Sequence, residues 1–589
     1  MVLQKERMGH RADGGILGRF DSHPRPRERP DGLLVVQIDG LSRPLLEELM
    51  AEGRMPVLAG LVRSGRLVVD PWTPQLPPCT PASQAGILHG RNDGIPGFRW
   101  FEKSSGRLLV ANRPRDAAEL ASRVSDGNGL LVEGGASIGN LLTGDAPSSH
   151  LTLATIEGDP TGHDRSTRGG GYPIDPFVYG RIAGLMAVEI IREAVAVVRG
   201  VDRSDPLRAS LRWRYLLQRS LSTVPLRLLS TALVIAAMRR GRPIVYVDFT
   251  GHDEVAHSRG PRSPEARRAA TSIDDSIGAI LHGRRHAPRR YRLVVLSDHG
   301  QSWGASFSQR YGVSLERFIA STMGPGTRYH GATLPTEYHD SRVRLAGHLS
   351  PGRIGHLAAG VAEGSRRYRS RSGVSGRRPS ATVGPAGAAV GPTGAARSSR
   401  DPVASETDPA RSDVVVAASG SLALVALPGI PGPATREEMD QRHPGLLEAL
   451  ACHPGIGAVV VRSAVGPIAI GRSGTRDLAG GAVHGKDPLA PFDAGAGESL
   501  RRLAGFEDSG DIILLGSVDP GSDSVVTFEE LVGSHGGLGG WQVRPFIAHP
   551  PEWQLDEAPP VGAPALYAQL RRWMAMLGIR GLDEEESGP

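Results

Sequence analysis

The chain has 589 residues, of which 39% are hydrophobic, so it is long enough to bury a large core. Its two cysteines, Cys79 and Cys452, can form one disulfide at most, which excludes a fold that depends on a disulfide framework. The formal net charge of +6 comes almost entirely from arginine, since the chain has only three lysines. The sequence contains neither a run of about 18 apolar residues nor the apolar core of a signal peptide, so we expect a cytoplasmic protein without a membrane-spanning helix.

Residues 1–30 are rich in Arg, Pro, Asp and Gly and predict a disordered N-terminal tail. The first predicted strand is the apolar run from Leu33 to Ile38, which ends directly on Asp39-Gly40. A carboxylate at the end of a buried strand lies at the carboxyl edge of a sheet, where open α/β folds keep their sites. Asp39 is therefore the first candidate ligand.

The next informative segment is a predicted helix that begins near Thr80 and ends before Gly90. Pro81 suits the first helical position, which makes Thr80 the expected N-cap. A hydroxyl there would lie at the positive end of the helix and could meet an anion. Thr80 is therefore the candidate nucleophile toward a phosphate group.

Residues 91–242 contain no candidate ligand, and we expect them to include a cap-like insertion. Phe98 or Trp100 could face an apolar leaving group, although a place in the core is the favoured interpretation. The stretch from Leu207 to Arg242 interleaves arginine with Leu, Trp and Tyr. It could lie on an anionic membrane surface, but we favour a helix pair that packs on the sheet with its arginines outward.

Two further predicted strands end on metal-type ligands. The run from Ile244 to Phe249 leads into Asp253 and His257, which would share one face of a helix because they are four residues apart. The run from Leu293 to Leu296 leads into Asp298-His299. Together with Asp39 these residues make five candidate ligands, which is more than one catalytic ion needs. Oxygen and nitrogen ligands favour Zn²⁺ or Mn²⁺ over a metal that prefers thiolates.

The later chain alternates between low complexity and regular patterns. Residues 365–411 consist largely of Arg, Ser, Gly, Ala and Pro, which predicts a second disordered segment. Strand and helix patterns resume over residues 412–589, with a helical stretch from Arg436 to Leu450 and a C-terminal helix from Ala563 to Leu577. Because strands alternate with helices, we expect the same α/β sheet to continue through this part.

In their order and spacing these segments resemble the alkaline phosphatase superfamily, and within it the type I phosphodiesterases and nucleotide pyrophosphatases. The resemblance covers roughly residues 31–360 and 412–550. It implies an alkaline-phosphatase-like three-layer α/β sandwich around a central, mostly parallel sheet, with a catalytic core in two parts, 31–364 and 412–589. The motifs that carry it are Asp39-Gly40, Thr80 ten residues before Gly90, the Asp253 to His257 spacing, Ser297-Asp298-His299-Gly300 and a late histidine.

The resemblance also implies a site for two divalent metal ions, with Zn²⁺ as the expected metal and Mn²⁺ as the alternative. Thr80 would be the nucleophile and would itself coordinate the first ion. The expected ligands are Asp39, Asp298 and His299 for that ion, and Asp253, His257 and the late histidine for the other. The late histidine is His535, which lies among glycines that permit close approach to a ligand, or His484. We favour His535 because it lies nearer to the end of the catalytic region.

One position departs from the family pattern. Pyrophosphatases of this branch usually carry an asparagine shortly after the threonine, where this chain has Ser83, so Ser83 or a backbone amide would hold a phosphate oxygen. The run Cys79-Thr80-Pro81 superficially resembles a sulfatase motif. That motif requires an arginine at the position of Ser83, which disfavours a sulfatase.

The predicted function is that of a metal-dependent phosphodiesterase or nucleotide pyrophosphatase that forms a covalent phosphothreonine at Thr80. Its expected partner is a small phosphate ester or nucleotide. The alternative is a phosphomonoesterase or phosphonate hydrolase with the same site, in which Arg91 or Arg99 could hold the extra charge. A non-catalytic basic protein that binds nucleic acid or lipid is a more remote alternative. We predict no specific nucleic-acid partner and do not favour peripheral membrane contact, and the sequence leaves the oligomeric state open.

Overall fold

The computed structural model describes residues 29–156, 184, 206–332, 408–556 and 559–579, with backbone alone for 206–222. The predicted disordered tail at 1–30 and the predicted disordered segment at 365–411 therefore lie almost entirely outside the described residues. The described chain resumes at Asp408, and a 3-10 helix, Pro409–Arg411, precedes the next strand.

The described residues form α-helices and strands that are numbered in chain order. The α-helices are α1 (Arg43–Ala51), α2 (Pro56–Arg63), α3 (Thr80–His89), α4 (Pro114–Val124), α5 (Pro206–Arg239), α6 (Gly251–Arg259), α7 (Pro264–Gly283), α8 (Phe307–Tyr311), α9 (Leu315–Met323), α10 (Arg436–Arg442), α11 (Leu446–Cys452), α12 (Ala496–Ala504) and α13 (Ala563–Met576). The strands are β1 (Asp31–Ile38), β2 (Val68–Pro71), β3 (Arg99–Glu102), β4 (Arg107–Val110), β5 (Ala136–Ile138), β6 (Ser148–His150), β7 (Ile244–Phe249), β8 (Arg290–Leu296), β9 (Ser302–Trp303), β10 (Tyr329–Ala332), β11 (Val414–Ser419), β12 (Leu422–Ala426), β13 (Ile456–Ser463), β14 (Gly466–Gly471), β15 (Gly474–Asp477), β16 (Val483–Gly485), β17 (Ile512–Gly516), β18 (Val518–Asp519), β19 (Ser524–Val525), β20 (Gly533–Ser534) and β21 (Phe546–His549).

The central sheet has seven strands in the order β2-β21-β8-β1-β7-β5-β6. The strands from β8 to β6 are parallel, and β21 and β2 add antiparallel pairings at one edge. Apolar residues of α3, α4 and α13 pack on one face, and those of α1, α2, α5 and α7 pack on the other. The α/β fold class with a central, mostly parallel sheet is thereby confirmed.

Strand β1 shows why the sequence forms a sheet that is buried on both faces. Leu33 and Val35 belong to the core on the α3 side, whereas Leu34 and Val36 belong to the core on the α1 side. Successive side chains of a strand point to opposite faces, so a strand covered on both sides is mainly apolar on both. The exception in β1 is the buried Gln37, whose Oε1 atom accepts a hydrogen bond of 2.7 Å from the hydroxyl of Tyr246. The first carboxylate that follows the apolar run is Asp39, at the carboxyl edge of the sheet.

Most strands that follow Asp408 do not continue the central sheet, so that expectation is wrong for them; only β21 returns to it. Strands β11 to β17 form with β10 a second sheet of eight strands, in the order β10-β11-β12-β17-β13-β14-β15-β16, and β18, β19 and β20 form a small sheet with β9. Only β10 and β11 pair in parallel in the eight-stranded sheet, and its other pairings are antiparallel. A hydrophobic pattern identifies a strand but not its partner, which explains the error.

Two helical predictions also need correction. The stretch from Arg436 to Leu450 forms two helices, α10 and α11, because Pro444 lacks an amide hydrogen and Gly445 adopts a φ of +81° between them. The predicted helix pair between Leu207 and Arg242 is instead the single helix α5, with Pro225 inside it. Among the described helices, none combines the length and the apolar character needed to cross a bilayer.

Helix α3, which begins at Thr80, is buried along its whole length and packs closely on α13. Gly86 lies at this contact. A Cβ at this position would come within 2.4 Å of the Cβ of Ala563 and 3.0 Å of its carbonyl carbon. The absence of a side chain at Gly86 therefore allows the two helices to approach each other.

We predict that Gly86→Ala lowers the free energy of unfolding by about 1–3 kcal/mol, because the added methyl group overpacks the contact. The matched control is Gly60→Ala in α2, where the added Cβ has no described atom within 4 Å. That substitution should instead raise the free energy of unfolding by about 0.5–1 kcal/mol through helix propensity. Urea unfolding measures both variants, and equal changes in the two would contradict the close packing of α3 on α13.

Candidate metal centre

The candidate ligands lie where three neighbouring strands of the central sheet end. Strands β8, β1 and β7 are adjacent and parallel, and their pairing continues to the last residues of β8 and β7. Side chains that follow these strands therefore reach one edge of the sheet. They are Asp39 after β1, Asp298 and His299 after β8, and Asp253 and His257 on α6, which follows β7.

The first group surrounds the hydroxyl of Thr80. Ligand atoms of Asp39, Asp298 and His299 lie within 4.8 Å of one another, and all three residues are buried. The Nε2 atom of His299 is 3.5 Å from Oδ1 of Asp39 and 3.4 Å from Oδ2 of Asp298. The Oγ1 atom of Thr80 is 3.2 Å from the same Nε2 and 3.4 Å from Oδ1 of Asp39. The hydroxyl thus adjoins the atoms that would bind a metal.

The second group consists of Asp253, His257 and His535. The Nε2 atom of His257 is 3.0 Å from Oδ2 of Asp253 and 3.2 Å from Nε2 of His535. The ring of His535 stacks on His299 with a centroid separation of 3.9 Å, and ligand atoms of Asp253, His299 and His535 also lie within 4.8 Å of one another. The two groups are therefore in direct contact.

All three histidines are oriented in the same way by the backbone. Each ring places its Nδ1 atom at 3.0 or 3.1 Å from a carbonyl oxygen, which can only accept a hydrogen bond. The proton of the neutral ring is therefore on Nδ1, and the lone pair is on Nε2, as in many metal-binding histidines. The three pairs are His257 with Gly533, His299 with Gly300, and His535 with Pro78.

This arrangement fits divalent cations. With the proton on Nδ1 in both rings, the Nε2 lone pairs of His257 and His535 face each other across 3.2 Å, a contact that a cation would convert from repulsive to attractive. The Oδ2 atom of Asp298 is also buried and has no hydrogen-bond partner among the described residues. Imidazole and carboxylate ligands suit Zn²⁺ and Mn²⁺ alike.

Burial and neighbouring charges set the ionisation of the site. Burial lowers the pKa of His299 below its ordinary value of 6.5, and the Asp298 carboxylate offsets only part of that effect. Burial raises the pKa of Asp253, but His257 and His535 lower it by more when their rings are protonated, so in the absence of a metal ion this pKa lies below its ordinary value of 3.8. Neutral His299 and ionised Asp253 are the forms that bind a metal.

Gly40 lets the two groups approach each other. Its φ is +67°, and a Cβ at this position would lie 2.2 Å from Oδ1 of Asp253. Its amide also donates a hydrogen bond of 3.3 Å to Oδ1 of Asp298. A side chain after Asp39 would therefore displace a carboxylate of the second group.

The nucleophile helix differs in two respects from the predictions. Helix α3 begins at Thr80 and its N-cap is Cys79, so Thr80 is the first helical residue and not the N-cap. The extended backbone of Cys79 explains this one-residue shift. The hydroxyl of Ser83 donates to the carbonyl oxygen of Asp298 at 2.9 Å. Ser83 thus orients a candidate ligand segment, and its proton is not available to a phosphate oxygen.

Sequence reasoning missed the contacts that anchor α3. Gln84 donates to Oδ2 of Asp248 at 2.9 Å and accepts from the amide of Leu141 at 2.8 Å, and all of these atoms are buried. Asp248 lies in β7 and is 3% exposed, so the partner of Gln84 is a carboxylate buried within the sheet. Only the helical position of Gln84, one turn after Thr80, hints at this role.

The structure also shows where the other histidines and aromatic residues near the candidate motifs lie. His484 is exposed on β16, at the edge of the second sheet, whereas His535 is buried in the second group. His252 is buried and its Nδ1 lies 3.3 Å from the backbone carbonyl oxygen of Asp39, consistent with a structural role. Phe98 and Trp100 are both buried.

A family model described as type I phosphodiesterase / nucleotide pyrophosphatase matches residues 189–364. This range includes four of the seven candidate site residues, Asp253, His257, Asp298 and His299. The match confirms the resemblance derived from the motifs and indicates a phosphoester hydrolase, which disfavours a purely non-catalytic binding protein. Among curated proteins no significant match is found.

Solved structures of two hydrolases are similar to this chain. Phosphonoacetate hydrolase from Sinorhizobium meliloti 1021 is 15% identical with a TM-score of 0.42, and the alignment covers 92% of this chain and 96% of that one. Murine ectonucleotide pyrophosphatase / phosphodiesterase 5 is 12% identical with a TM-score of 0.44, and the alignment covers 94% of this chain and 96% of that one. At these scores the likeness assigns neither a substrate nor site residues.

We predict that His535→Ala lowers the bound metal from about two ions per chain to about one, because it removes a ligand of the second group only. The matched control is His484→Ala, at the exposed position, which should bind metal as the unaltered protein does. Elemental analysis after equilibration with Zn²⁺ or Mn²⁺ measures both. The opposite pattern would assign the late ligand to His484.

Proposed function

We propose that this phosphoester hydrolase, which resembles the type I phosphodiesterases of the alkaline phosphatase superfamily, cleaves phosphodiesters or nucleotide pyrophosphates through a covalent intermediate on Thr80. The observation that supports this proposal most strongly is the position of the Thr80 hydroxyl. It lies at the start of a buried helix, 3.2 Å from Nε2 of His299 and 3.4 Å from Oδ1 of Asp39. A nucleophile beside a candidate metal group is what phosphoryl transfer to a hydroxyl requires.

The residues fit two divalent ions, Zn²⁺ or Mn²⁺. The first would be held by Asp39, Asp298 and His299 beside Thr80, and the second by Asp253, His257 and His535. When bound, the ions supply Lewis acidity that lowers the pKa of the Thr80 hydroxyl and offsets negative charge on the phosphate.

In the first half-reaction, Oγ1 of Thr80 attacks phosphorus, and an Oγ1–P bond forms as the bond to the leaving group breaks. The leaving alcohol or phosphate takes the bonding electrons and receives a proton from water. Oδ1 of Asp39 accepts the hydrogen bond of the Thr80 hydroxyl and is the first acceptor for its proton. The positive end of α3 stabilises the negative oxygens of the phosphate during the attack.

In the second half-reaction, water attacks the phosphothreonine from the side that the leaving group has left. The Oγ1–P bond breaks, Thr80 regains the proton that Asp39 accepted, and the attacking water releases one proton to the solvent. A phosphate monoester leaves when the substrate was a diester. The second group, Asp253, His257 and His535, contacts the first through the stacked rings of His535 and His299, and would hold the ion that supplies Lewis acidity to the attacking water.

The environment of two arginines supports a diester over a monoester. A dianionic monoester needs an additional cation at its terminal oxygens, and Arg99 and Arg91 are the candidates. Arg99 is 2% exposed and forms an ion pair of 2.9 Å with Glu529. Arg91 follows the far end of α3, about 15 Å from Thr80 along the helix, and lines a surface cavity of about 380 Å³ there. Phosphomonoester or phosphonate hydrolysis remains the alternative function.

We predict that Thr80→Ala abolishes turnover and leaves the metal content unchanged, because it removes the nucleophile but none of the carboxylate or imidazole ligands. Thr80→Ser keeps a hydroxyl and should retain a measurable rate. Rapid acid quenching with a ³²P-labelled substrate should give labelled protein with the unaltered chain and none with Thr80→Ala. Turnover by Thr80→Ala at the unaltered rate would end the proposal.

We also predict a higher kcat/KM for bis-p-nitrophenyl phosphate than for p-nitrophenyl phosphate, since the ion pair with Glu529 neutralises Arg99. The two esters share one leaving group, so their ratio reports the charge that the site accepts. A ratio below one would favour the monoesterase alternative. Glu529→Gln removes the negative charge that neutralises Arg99. If the guanidinium of Arg99 then faces the phosphate, this variant should lower the ratio of diester to monoester kcat/KM.

A further inference from the structure

We infer that Gln301 is a positioning residue. It fixes the position of Asp253 and thereby the position of the second metal ion relative to the first ion. The inference rests on the proposed two-metal site and adds a residue to which neither the motifs nor the family resemblance gives a role. The geometric basis is the buried amide of Gln301, which joins the segment bearing Asp298 and His299 to the carboxylate of Asp253 on α6.

The contacts of Gln301 fix the orientation of its side chain. Its Nε2 atom donates a short hydrogen bond to Oδ1 of Asp253 and a second one, of 3.1 Å, to the backbone carbonyl oxygen of the same residue. Both partners can only accept, so the amide nitrogen and not the oxygen must face them. Two donated bonds to one residue clamp both its main chain and its carboxylate.

The other end of the amide shows that Gln301 is not there for stability alone. Its Oε1 atom is buried and has no hydrogen-bond partner among the described residues. A buried unsatisfied carbonyl is destabilising, and such groups in native proteins call for an explanation. A methionine or leucine would fill similar space without this penalty. The compensating interactions are the two hydrogen bonds that the amide nitrogen donates to Asp253.

The same oxygen lies against the segment that orients His257. A Cβ on Gly533 would lie 2.3 Å from Oε1 of Gln301, so the absence of a side chain there makes room for the amide. The carbonyl oxygen of Gly533 accepts the Nδ1 hydrogen bond of His257. Gln301 thus contacts one ligand of the second group directly and packs on the residue that orients another.

The position of Gln301 in the sequence links the two groups of candidate metal ligands. Gln301 follows Asp298 and His299 by three and two residues, and β9 begins immediately after it. A displacement of Asp298 and His299 would therefore also move Asp253 through the side chain of Gln301. A neutral amide suits this task, since it donates to the carboxylate without adding a charge that would compete with a metal ion.

We predict that Gln301→Met weakens binding of the second metal ion by about 10–100-fold, the usual effect of losing an outer partner of a metal ligand. Affinity for the first ion should stay within about threefold. Isothermal titration of the metal-free protein with Zn²⁺ resolves the two events. The melting temperature of the metal-free variant should fall modestly, because removal of the unsatisfied Oε1 only partly offsets the two lost hydrogen bonds to Asp253.

Gln569→Met is the matched control. Gln569 is also a buried glutamine, but its amide accepts from Asp556 and donates to Gln554, far from the metal centre in sequence and on α13. This variant should lower the melting temperature of the metal-free protein and leave both metal affinities unchanged. Such a pattern in Gln301→Met would mean that Gln301 has a merely structural role and would overturn the inference.

The two proposals fail in different ways. If the unaltered protein binds no divalent metal, the proposed function itself is wrong. If it binds two ions and Gln301→Met binds both as tightly, only the inference about Gln301 is wrong.

Discussion

The arrangement of the site follows from one constraint: three carboxylates must lie together out of water. Asp39, Asp253 and Asp298 are between 0% and 6% exposed. Burial of an ionised carboxylate costs several kcal/mol unless it is compensated, and three neighbouring ones repel one another. The histidines that face them present Nε2 lone pairs, because their Nδ1 protons go to backbone carbonyls. Such a set is complementary to cations, and its geometry must be imposed by the surrounding fold.

The fold imposes that geometry through backbone groups more than through side chains. The carbonyls that orient the three histidines belong to Pro78, Gly300 and Gly533, which lie in three separate segments. At Gly40 and Gly533 an added Cβ would come within 2.2 and 2.3 Å of a side-chain oxygen at the site. Glycine is required there because the chain itself, and not a side chain, forms the wall of the centre. This explains the concentration of glycine next to the candidate ligands.

The sequence was sufficient to predict the groups that depend on one strand each. Parallel strands buried on both faces are recognisable as apolar runs, and the residue after each run must lie at the carboxyl edge, so Asp39, Asp298 and Asp253 could be placed together. Contacts between separate segments could not be predicted this way. The bonds of Gln84 with Asp248 and of Gln301 with Asp253 join residues that no periodicity connects, and the partners of the later strands depend on packing in three dimensions.

The two ligand groups also have different structural supports. The first depends on the central sheet and α3, whereas His535 is held against the second sheet, where a Cβ on Gly420 would lie 1.9 Å from its carbonyl oxygen. Glu529 accepts a hydrogen bond from the amide of Gly420 and pairs with Arg99, which ties this turn to the segment after the nucleophile helix. The second sheet supplies no ligand of its own, yet the packing of the two sheets determines where His535 lies. Since His535 stacks on His299 and its Nδ1 atom is hydrogen-bonded to the carbonyl oxygen of Pro78, a change in that packing would reach the second group first and the Thr80 side of the centre through these two contacts.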